Sequence, residues 1–213
     1  MSSRKTWGLA AIMGMVALAV GGVLLSLDRD DAEPSLVQYN AHYIDAGAML
    51  RLTETLSSDA LEGRATGSRG NEAARDFIQK RFETLGLRQF GDTYFHPFTA
   101  TPEEQGGAPV SGVNVVGWIA GQTPADGPAI VITAHYDHLG IVDGEIYNGA
   151  DDNASGVAAL IAVAQHFTLH RPKHDMIFAV VDAEEIGHLG SSAFVASPPV
   201  PLERIALNIN YDM

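Results

Sequence analysis

The chain has no cysteine and few basic residues. Its 213 residues include 13 Lys and Arg against 26 Asp and Glu, and the formal net charge is -13. The absence of cysteine excludes disulfide bonds, thiolate metal sites and a cysteine nucleophile. The shortage of basic residues argues against nucleic acid as a partner, because phosphate binding needs clustered Lys and Arg. Any metal site must therefore use His, Asp and Glu.

Two common hydrolase motifs are also absent. The sequence contains no G-x-S-x-G, which argues against a serine hydrolase of the α/β-hydrolase type. It contains no H-E-x-x-H, which excludes the thermolysin-like single-zinc arrangement. With 46% hydrophobic residues and no internal repeat, the chain suits one domain with its own core and a short extra segment.

An uncharged hydrophobic run predicts a membrane anchor at the N-terminus. Residues 7–27 follow Arg4 and Lys5 and precede the acidic stretch 28–33. Twenty-one helical residues span about 31 Å, close to the thickness of the bilayer hydrocarbon core. The charge asymmetry predicts that the rest of the chain lies outside the cytoplasm, in the periplasm or cell envelope, with secretion after signal cleavage as the alternative. We therefore divide the chain into an anchor at 1–27, a polar linker at 28–40 and a globular domain at 41–213.

Helices and strands alternate through the rest of the sequence. Apolar periodicity predicts helices at 43–58, from Ser68 or Asn71 to Gly86, at 155–167 and at 190–196. Strands are predicted at 114–121, 129–137, the start of 176–185 and 205–213. This order predicts an α/β fold with a mostly parallel or mixed central sheet flanked by helices.

Acidic residues collect where the predicted strands end. Open α/β sheets bind ligands along that edge, so residues that are distant in sequence should converge there. Six carboxylates in one crevice would repel each other unless cations lie among them, and a pair of divalent metal ions would offset that charge. The candidate residues are His135, Asp137, Asp151, Asp152, Glu184, Glu185 and Asp212.

Each group has a plainer explanation when it is taken alone. His135 could be a buried histidine that Asp137 satisfies. The Asp151–Asp152 pair could form a turn and cap the following helix. The two glutamates could begin a solvated helix, whose dipole favours acids. Their combination along one sheet edge is what favours the metal site.

Four spaced motifs resemble the M28 family of zinc metallopeptidases, the bacterial leucyl aminopeptidase-like group. They are AHYDHLG at 134–140, NGADDNASG at 148–156, DAEEIGHLGS at 182–191 and NINYDM at 208–213. The segment LEGRATGSRGNEAA at 61–74 is similar to the N-terminal loop and helix of that family. The resemblance implies a zinc-dependent exopeptidase-like fold over about 43–213, two Zn²⁺ ions, and peptide or protein N-termini as substrates.

The resemblance also implies a set of metal ligands. His135 and Asp212 would bind one Zn²⁺, Asp151 would bridge both ions, and Glu185 would bind the other. Asp152 would then serve as a helix cap or support the ligands from outside. The family has a further histidine ligand in a later part of the domain, so the second site is expected to be incomplete in a chain that stops at Met213 and is C-terminally truncated.

Catalytic roles follow from the same resemblance. Glu184 would be the general base that takes a proton from the attacking water, and Asp137 would orient His135. His188 stands where the family usually has an apolar residue. It either approaches the metal site, since it lies three residues after Glu185, or remains a surface or supporting residue.

The sequence therefore favours removal of N-terminal residues from peptides by a metal-activated water outside the cytoplasm. One alternative keeps the metals and changes the substrate, as in a related metal-dependent amidohydrolase or cyclase. The other is a catalytically inactive binding domain tethered to the membrane.

Overall fold

The structure is a computed structural model that describes residues 44–102, 107–124 and 126–213. The predicted anchor at 7–27 and the linker at 28–40 lie outside the described residues. None of the described helices combines the length and the apolar character that crossing a bilayer requires.

A five-stranded mixed sheet forms the centre of the described chain. Its strands are β1 (Phe95–Ala100), β2 (Val110–Ile119), β3 (Ala129–His135), β6 (Asp175–Val181) and β7 (Ile205–Asn210). They lie in the order β1-β2-β6-β3-β7, where β6, β3 and β7 run parallel, β2 pairs antiparallel with β6, and β1 pairs antiparallel with β2. The predicted α/β fold with a mixed sheet is confirmed, and its parallel half carries the predicted site residues.

Four helices flank this sheet, close to where apolar periodicity predicts them. They are α1 (Ala46–Leu56), α2 (Arg69–Leu85), α3 (Gly156–Leu169) and α4 (Leu189–Ala196). Ser68, rather than Asn71, caps α2, because the Ser68 hydroxyl accepts the Asn71 N–H at 3.1 Å. Gly86 ends α2 in the left-handed conformation with φ 73°.

Strand β6 lies at the middle of the core, and all of its residues are buried. Its side chains alternate between two apolar clusters, as the pleat of a strand requires. Phe178 packs in the cluster that includes Phe82 of α2, and Ile177 packs in the cluster that includes Phe194 of α4. This double coverage explains the continuous apolar run from which the strand was predicted.

Two features of the fold are missing from the sequence prediction. Strand β1 pairs with β2 at the sheet edge although it contains Pro97, which cannot donate to a ladder. A short hairpin of β4 (Gly140–Val142) and β5 (Glu145–Tyr147) leads from β3 towards the turn that holds Asp152. In addition, β2 begins at Val110, before the predicted start at Asn114.

Candidate metal centre

Three neighbouring parallel strands deliver the candidate residues to one edge of the sheet. His135 is the last residue of β3, Glu184 follows the end of β6, and Asp212 follows the end of β7. Because β3 lies between β6 and β7, His135 occupies the middle of this edge. The arrangement matches the general position of ligand sites in open α/β sheets.

His135 is buried, and three carboxylates face its Nε2 atom. The distances from Nε2 are 3.0 Å to Asp152 Oδ1, 3.3 Å to Asp212 Oδ1 and 4.0 Å to Glu184 Oε2. Burial alone lowers the pKa of His135, but Asp137, Glu184 and Asp212 outweigh it and raise the pKa to about 9. Three carboxylates around one ring nitrogen create a negative potential, which favours the binding of a cation beside His135.

A second histidine, His138, completes the cluster on its other side. Its Nδ1 atom lies 2.5 Å from Glu185 Oε1 and 3.8 Å from Asp152 Oδ2. Asp152 therefore lies between the two histidines and directs one carboxylate oxygen towards each. His138 was not among the predicted site residues, since it follows the end of β3 in a loop, where strand periodicity does not predict the direction of a side chain.

The structure places the two adjacent aspartates in different surroundings. Asp151 was predicted to be the bridging ligand, but it is exposed, and its backbone carbonyl accepts a hydrogen bond from the Ser155 hydroxyl. Asp152 was predicted to cap the helix or to support the ligands from outside, and its carboxylate contacts His135 directly. The backbone leaves the helical region at Asp152 (φ -102°, ψ 100°), so the two adjacent side chains do not share a direction.

A buried asparagine fastens the turn that carries Asp152. The Asn153 Nδ2 group donates to the Tyr211 carbonyl at 2.8 Å, and Asn153 Oδ1 accepts the Gly156 N–H at 3.1 Å. Tyr211 N–H in turn donates to the Thr133 carbonyl on β3 at 2.8 Å. These bonds hold the turn, the end of β7 and the end of β3 together, which brings Asp152 and Asp212 to the same histidine.

Asp137 acts mainly on the two glutamates. Its Oδ1 accepts the Glu184 N–H at 3.1 Å, and its Oδ2 accepts the Glu185 N–H at 3.2 Å. His135 Nδ1 lies 3.2 Å from the Asp137 carbonyl and 3.7 Å from its carboxylate. The predicted orientation of His135 is thus shared with a backbone carbonyl, while the carboxylate sets the backbone of Glu184 and Glu185.

A second buried aspartate supports Asp137 from behind. The Thr66 hydroxyl lies 3.3 Å from Asp137 Oδ2 and 3.2 Å from Asp182 Oδ1. Asp182 also accepts hydrogen bonds from the Asn71 side chain and from the Val113 and Ala183 N–H groups. Burial is the main cause that raises the pKa of Asp182, and these donors counteract it.

His188 contacts the candidate base, not the metal-binding group. Its Nδ1 atom lies 2.7 Å from Glu184 Oε1, and the ring is largely exposed. Burial raises the pKa of Glu184, with Asp137 and Asp212 in the same direction and His135 and His188 against it. One oxygen of Glu184 is therefore held by His188, and the other points towards His135.

The donor set fits zinc. His135, Asp152 and Glu185 each offer a ligand atom, and these atoms lie within 4.8 Å of one another. The second oxygen donor near His135 comes from Asp212. Imidazole nitrogen with carboxylate oxygen and no sulfur is a typical composition for a catalytic zinc site.

Comparison with known proteins bears directly on this site. The family model described as "Peptidase family M28" matches residues 114–213, which include all four motifs around the centre. The resemblance to that family is confirmed over residues 114–213. The similar segment at 61–74 lies outside the matched residues.

Individual known proteins are similar to this chain in sequence or in fold. The chain is 26% identical over 202 residues to a "Vacuolar membrane protease" of Candida glabrata, which covers 88% of this chain but only 21% of that protein. It superimposes on a zinc-dependent exopeptidase of Parabacteroides distasonis with a TM-score of 0.65 and 19% identity, covering 80% of this chain and 62% of the other. A glutaminyl cyclase of Porphyromonas gingivalis gives a TM-score of 0.66 at 19% identity with the same coverage.

The chain covers only part of the length of each of these proteins. The chain spans about a fifth of the vacuolar relative and about three fifths of the two solved structures. The two solved neighbours share the fold of this chain, and they carry different activities in their names.

Proposed function

We propose that the protein is a zinc-dependent aminopeptidase that releases N-terminal residues from peptides, with Glu184 as the general base. The observation that carries the proposal is the separation of the two adjacent glutamates. Glu185 joins the group of ligand atoms with His135 and Asp152, while Glu184 stands 4.0 Å from His135 Nε2. A base must reach the attacking water without being consumed as a ligand, and this division provides that.

We assign the ligands from the same geometry. His135 and Asp212 would hold one zinc ion, Asp152 would be shared between two, and Glu185 would hold the second. Zinc ions, when bound, polarise the scissile carbonyl and lower the pKa of water so that it can attack near neutral pH. The further histidine ligand that the M28 resemblance implies for the second ion is not among these residues.

The protein's own groups direct the proton transfer. Asp137 fixes the backbone of Glu184 and Glu185 through two N–H bonds. The two side chains have different partners, since Glu184 contacts His188 and Glu185 contacts His138. His188 holds Glu184 Oε1, which leaves Oε2 to accept the proton. The raised pKa of Glu184, caused first by burial, makes it a better base for this step than an exposed carboxylate.

A cavity of about 380 Å³ beside the centre gives a place for substrate. His135, Glu184 and Asp212 lie at its polar end. Six apolar side chains also line it, those of Val131, Val181, Phe194, Val195, Leu202 and Ile205, together with polar ones such as Ser191 and Asn208. We propose that an apolar part of the peptide lies there.

The experiment that tests this function combines metal analysis with an aminopeptidase assay. The 213-residue chain is stripped with a chelator, reconstituted with Zn²⁺, and assayed on aminoacyl-p-nitroanilides, with Glu184→Gln as the matched control. The proposal expects bound zinc in both proteins and release of p-nitroaniline by the unaltered protein alone. Zinc without turnover of any aminoacyl substrate would overturn the aminopeptidase assignment, and no bound zinc would favour an inactive binding domain.

A cyclase is the second candidate, because the fold is shared with glutaminyl cyclases. The same centre could activate an N-terminal glutamine side chain for attack by its own α-amine, which releases ammonia and consumes no water. A peptide with N-terminal glutamine separates the two reactions. Ammonia release with an intact, pyroglutamyl-blocked peptide supports the cyclase, and free glutamine supports the peptidase.

We also propose that residues 1–27 anchor the protein in a membrane and that residues 41–213 form the peptidase domain outside the cytoplasm. Residues 28–40 would connect the anchor to this domain. The 21-residue apolar run and the name of the vacuolar membrane relative support an anchor. Membrane fractionation before and after an alkaline carbonate wash tests it. Release of the full-length chain by the wash would contradict an integral anchor.

A further inference from the structure

Arg64 is a buried arginine that is satisfied by backbone carbonyls. Arg64 is only 1% exposed, and none of the described carboxylates lies within ion-pair distance of its guanidinium. Nε donates to the Tyr136 carbonyl at 2.8 Å, Nη1 donates to the Asn148 carbonyl at 2.7 Å, and Nη2 donates to the Gly149 carbonyl at 2.9 Å. Nη1 also donates to the Leu56 carbonyl.

These four acceptors belong to three separate segments. Leu56 ends α1, Tyr136 follows the last residue of β3, and Asn148–Gly149 lead into the turn that carries Asp152. The guanidinium therefore ties the entrance of that turn to the strand that ends in His135. A planar group with five N–H donors can make such a set of bonds in one fixed geometry, which a lysine ammonium cannot reproduce.

The backbone around Arg64 is itself strained. Glu62, Gly63 and Arg64 are left-handed in succession, with φ of 51°, 66° and 55°. Two of these are not glycine, and such conformations persist only where the surroundings enforce them. A Cβ on Gly63 would lie 2.5 Å from the carbonyl oxygens of Gly140 and Tyr147, so this segment packs tightly against the β4–β5 hairpin.

The charge of Arg64 is retained at neutral pH. Burial lowers its pKa to about 10, while Asp137, Asp152 and Glu185 act in the opposite direction. A fixed cation thus lies within electrostatic range of the carboxylate cluster without forming an ion pair with any of them. It reduces the mutual repulsion of these carboxylates while leaving their oxygens available to a metal ion.

We propose that Arg64 is a positioning residue for the metal centre. By fastening the Asn148 and Gly149 carbonyls to the end of β3, it places Asp152 beside His135 before an ion binds. The inference rests on the proposed function in one respect only, namely that the carboxylate cluster binds Zn²⁺.

The test compares two arginines at opposite ends of the sheet in the full 213-residue chain. Arg64→Lys keeps the positive charge and loses the planar set of N–H donors. Arg204→Lys is the matched control, because Arg204 also bonds a backbone carbonyl, that of Gly127 at 2.9 Å, at the amino ends of the strands. Each protein is measured for denaturant unfolding, for Zn²⁺ affinity against a competing chelator, and for the visible spectrum of its Co²⁺ form.

The proposal expects Arg64→Lys to lose about 10- to 100-fold in Zn²⁺ affinity and to change the Co²⁺ spectrum, as changes beside metal ligands do. Arg204→Lys should keep the affinity and the spectrum even where it lowers the unfolding midpoint. Equal affinity in Arg64→Lys and the unaltered protein, or equal losses in both variants, would overturn the proposal. If the unaltered chain itself binds no Zn²⁺, the proposed function fails instead.

A measurement on the unaltered protein covers the case in which Arg64→Lys does not fold. The Ala154 N–H donates to the Gly149 carbonyl at 3.2 Å inside the turn. If Arg64 places the turn without metal, the Ala154 amide should exchange with solvent as slowly in the chelator-treated protein as after Zn²⁺ addition. Fast exchange in the chelated protein alongside a protected β3 would show that the ion, not Arg64, organises the turn.

Discussion

The two ends of the parallel strands treat carboxylates in opposite ways. At the amino end, Asp175 begins β6, and its Oδ2 lies 2.8 Å from the Arg204 guanidinium, while its Oδ1 accepts the Gly121 N–H. At the carboxyl end, five carboxylates gather, and among the described residues their ion-pair partners are the histidines. These carboxylates belong to Asp137, Asp152, Glu184, Glu185 and Asp212.

This contrast separates a carboxylate that serves the fold from carboxylates that serve a site. A buried anion needs a cation or strong hydrogen bonds, and Asp175 has both within the protein. At the other end, Asp137 has N–H donors and the remaining carboxylates have imidazoles, and under the proposed function a divalent cation would neutralise their charge. The predictions below test that difference, beginning with the largest effect.

Replacing the candidate base should have the largest effect. Glu184→Gln removes the proton acceptor but leaves His135, Asp152, Glu185 and Asp212 in place. We expect a fall in the turnover rate of about 10²- to 10⁴-fold, with zinc content unchanged. Steady-state kinetics beside elemental analysis measure both. A matching loss of zinc would mean that Glu184 is a ligand and that the two glutamates do not divide their roles.

Replacing one aspartate of the adjacent pair should separate site from surface. Asp152→Asn should lower Zn²⁺ affinity by more than about 100-fold, since altering a neighbour of a ligand already costs 10- to 100-fold. Asp151→Asn is the matched control and should change the affinity by less than about twofold, because Asp151 is exposed. Chelator competition measures both variants. Equal losses of Zn²⁺ affinity in the two variants would show that Asp151 also contributes to the metal centre.

The pH dependence should distinguish the site end from the rest of the fold. The pKa of His135 is raised above the ordinary 6.5 to about 9, so its charged form stabilises the metal-free protein fully below pH 6.5. That contribution is lost as the pH rises through about 9. Zinc needs the neutral ring, so its apparent affinity should rise about tenfold per pH unit between 6.5 and 8.5.

Two titrations at a series of pH values measure this. Denaturant unfolding with chelator present should show stability falling between pH 6.5 and 9, and Zn²⁺ competition should show affinity rising over the same range. His135→Asn should lose both trends. A Zn²⁺ affinity that is independent of pH would show that His135 is already neutral in the metal-free protein.

The smallest effect is expected at the amino end. Asp175→Asn weakens the bond to Arg204 and should lower the free energy of unfolding by about 1.5–3 kcal/mol, typical for a hydrogen bond to a charged group. Zinc affinity should not change, because the residue lies at the far end of β6 from the cluster. Unfolding and chelator competition measure the two quantities. A loss of zinc would erase the distinction between the two ends.

Much of the fold could be predicted from local patterns. The four helices and the strands β3, β6 and β7 follow from apolar periodicity and from caps such as Gly86. Strand β1 could not be predicted because Pro97 argues against a strand, and only its position at the edge permits it. The hairpin had a usable signal, since Asp143-Gly144 is a turn dipeptide, and both residues have positive φ.

The sequence predicts the residues of the candidate site better than it predicts the contacts between them. The strand order explains why His135, Glu184 and Asp212 converge. The contacts of Asp137 with Glu184 and of His138 with Glu185 could not be predicted, because each pair is 47 residues apart in sequence. Arg64 gave no local signal either, since its acceptors include carbonyls 72 to 85 residues distant.

The sequence by itself determined which carboxylates and histidines stand at the ends of the parallel strands, because strand periodicity and strand length are local properties. Only the tertiary structure decided which of the adjacent aspartates faces the centre. Asp152 is chosen by Asn153 bonded to the Tyr211 carbonyl and by Arg64 bonded to the Gly149 carbonyl. Both bonds join segments that are distant along the chain, and a rotation of the backbone between two neighbours has no signature in their own residue types.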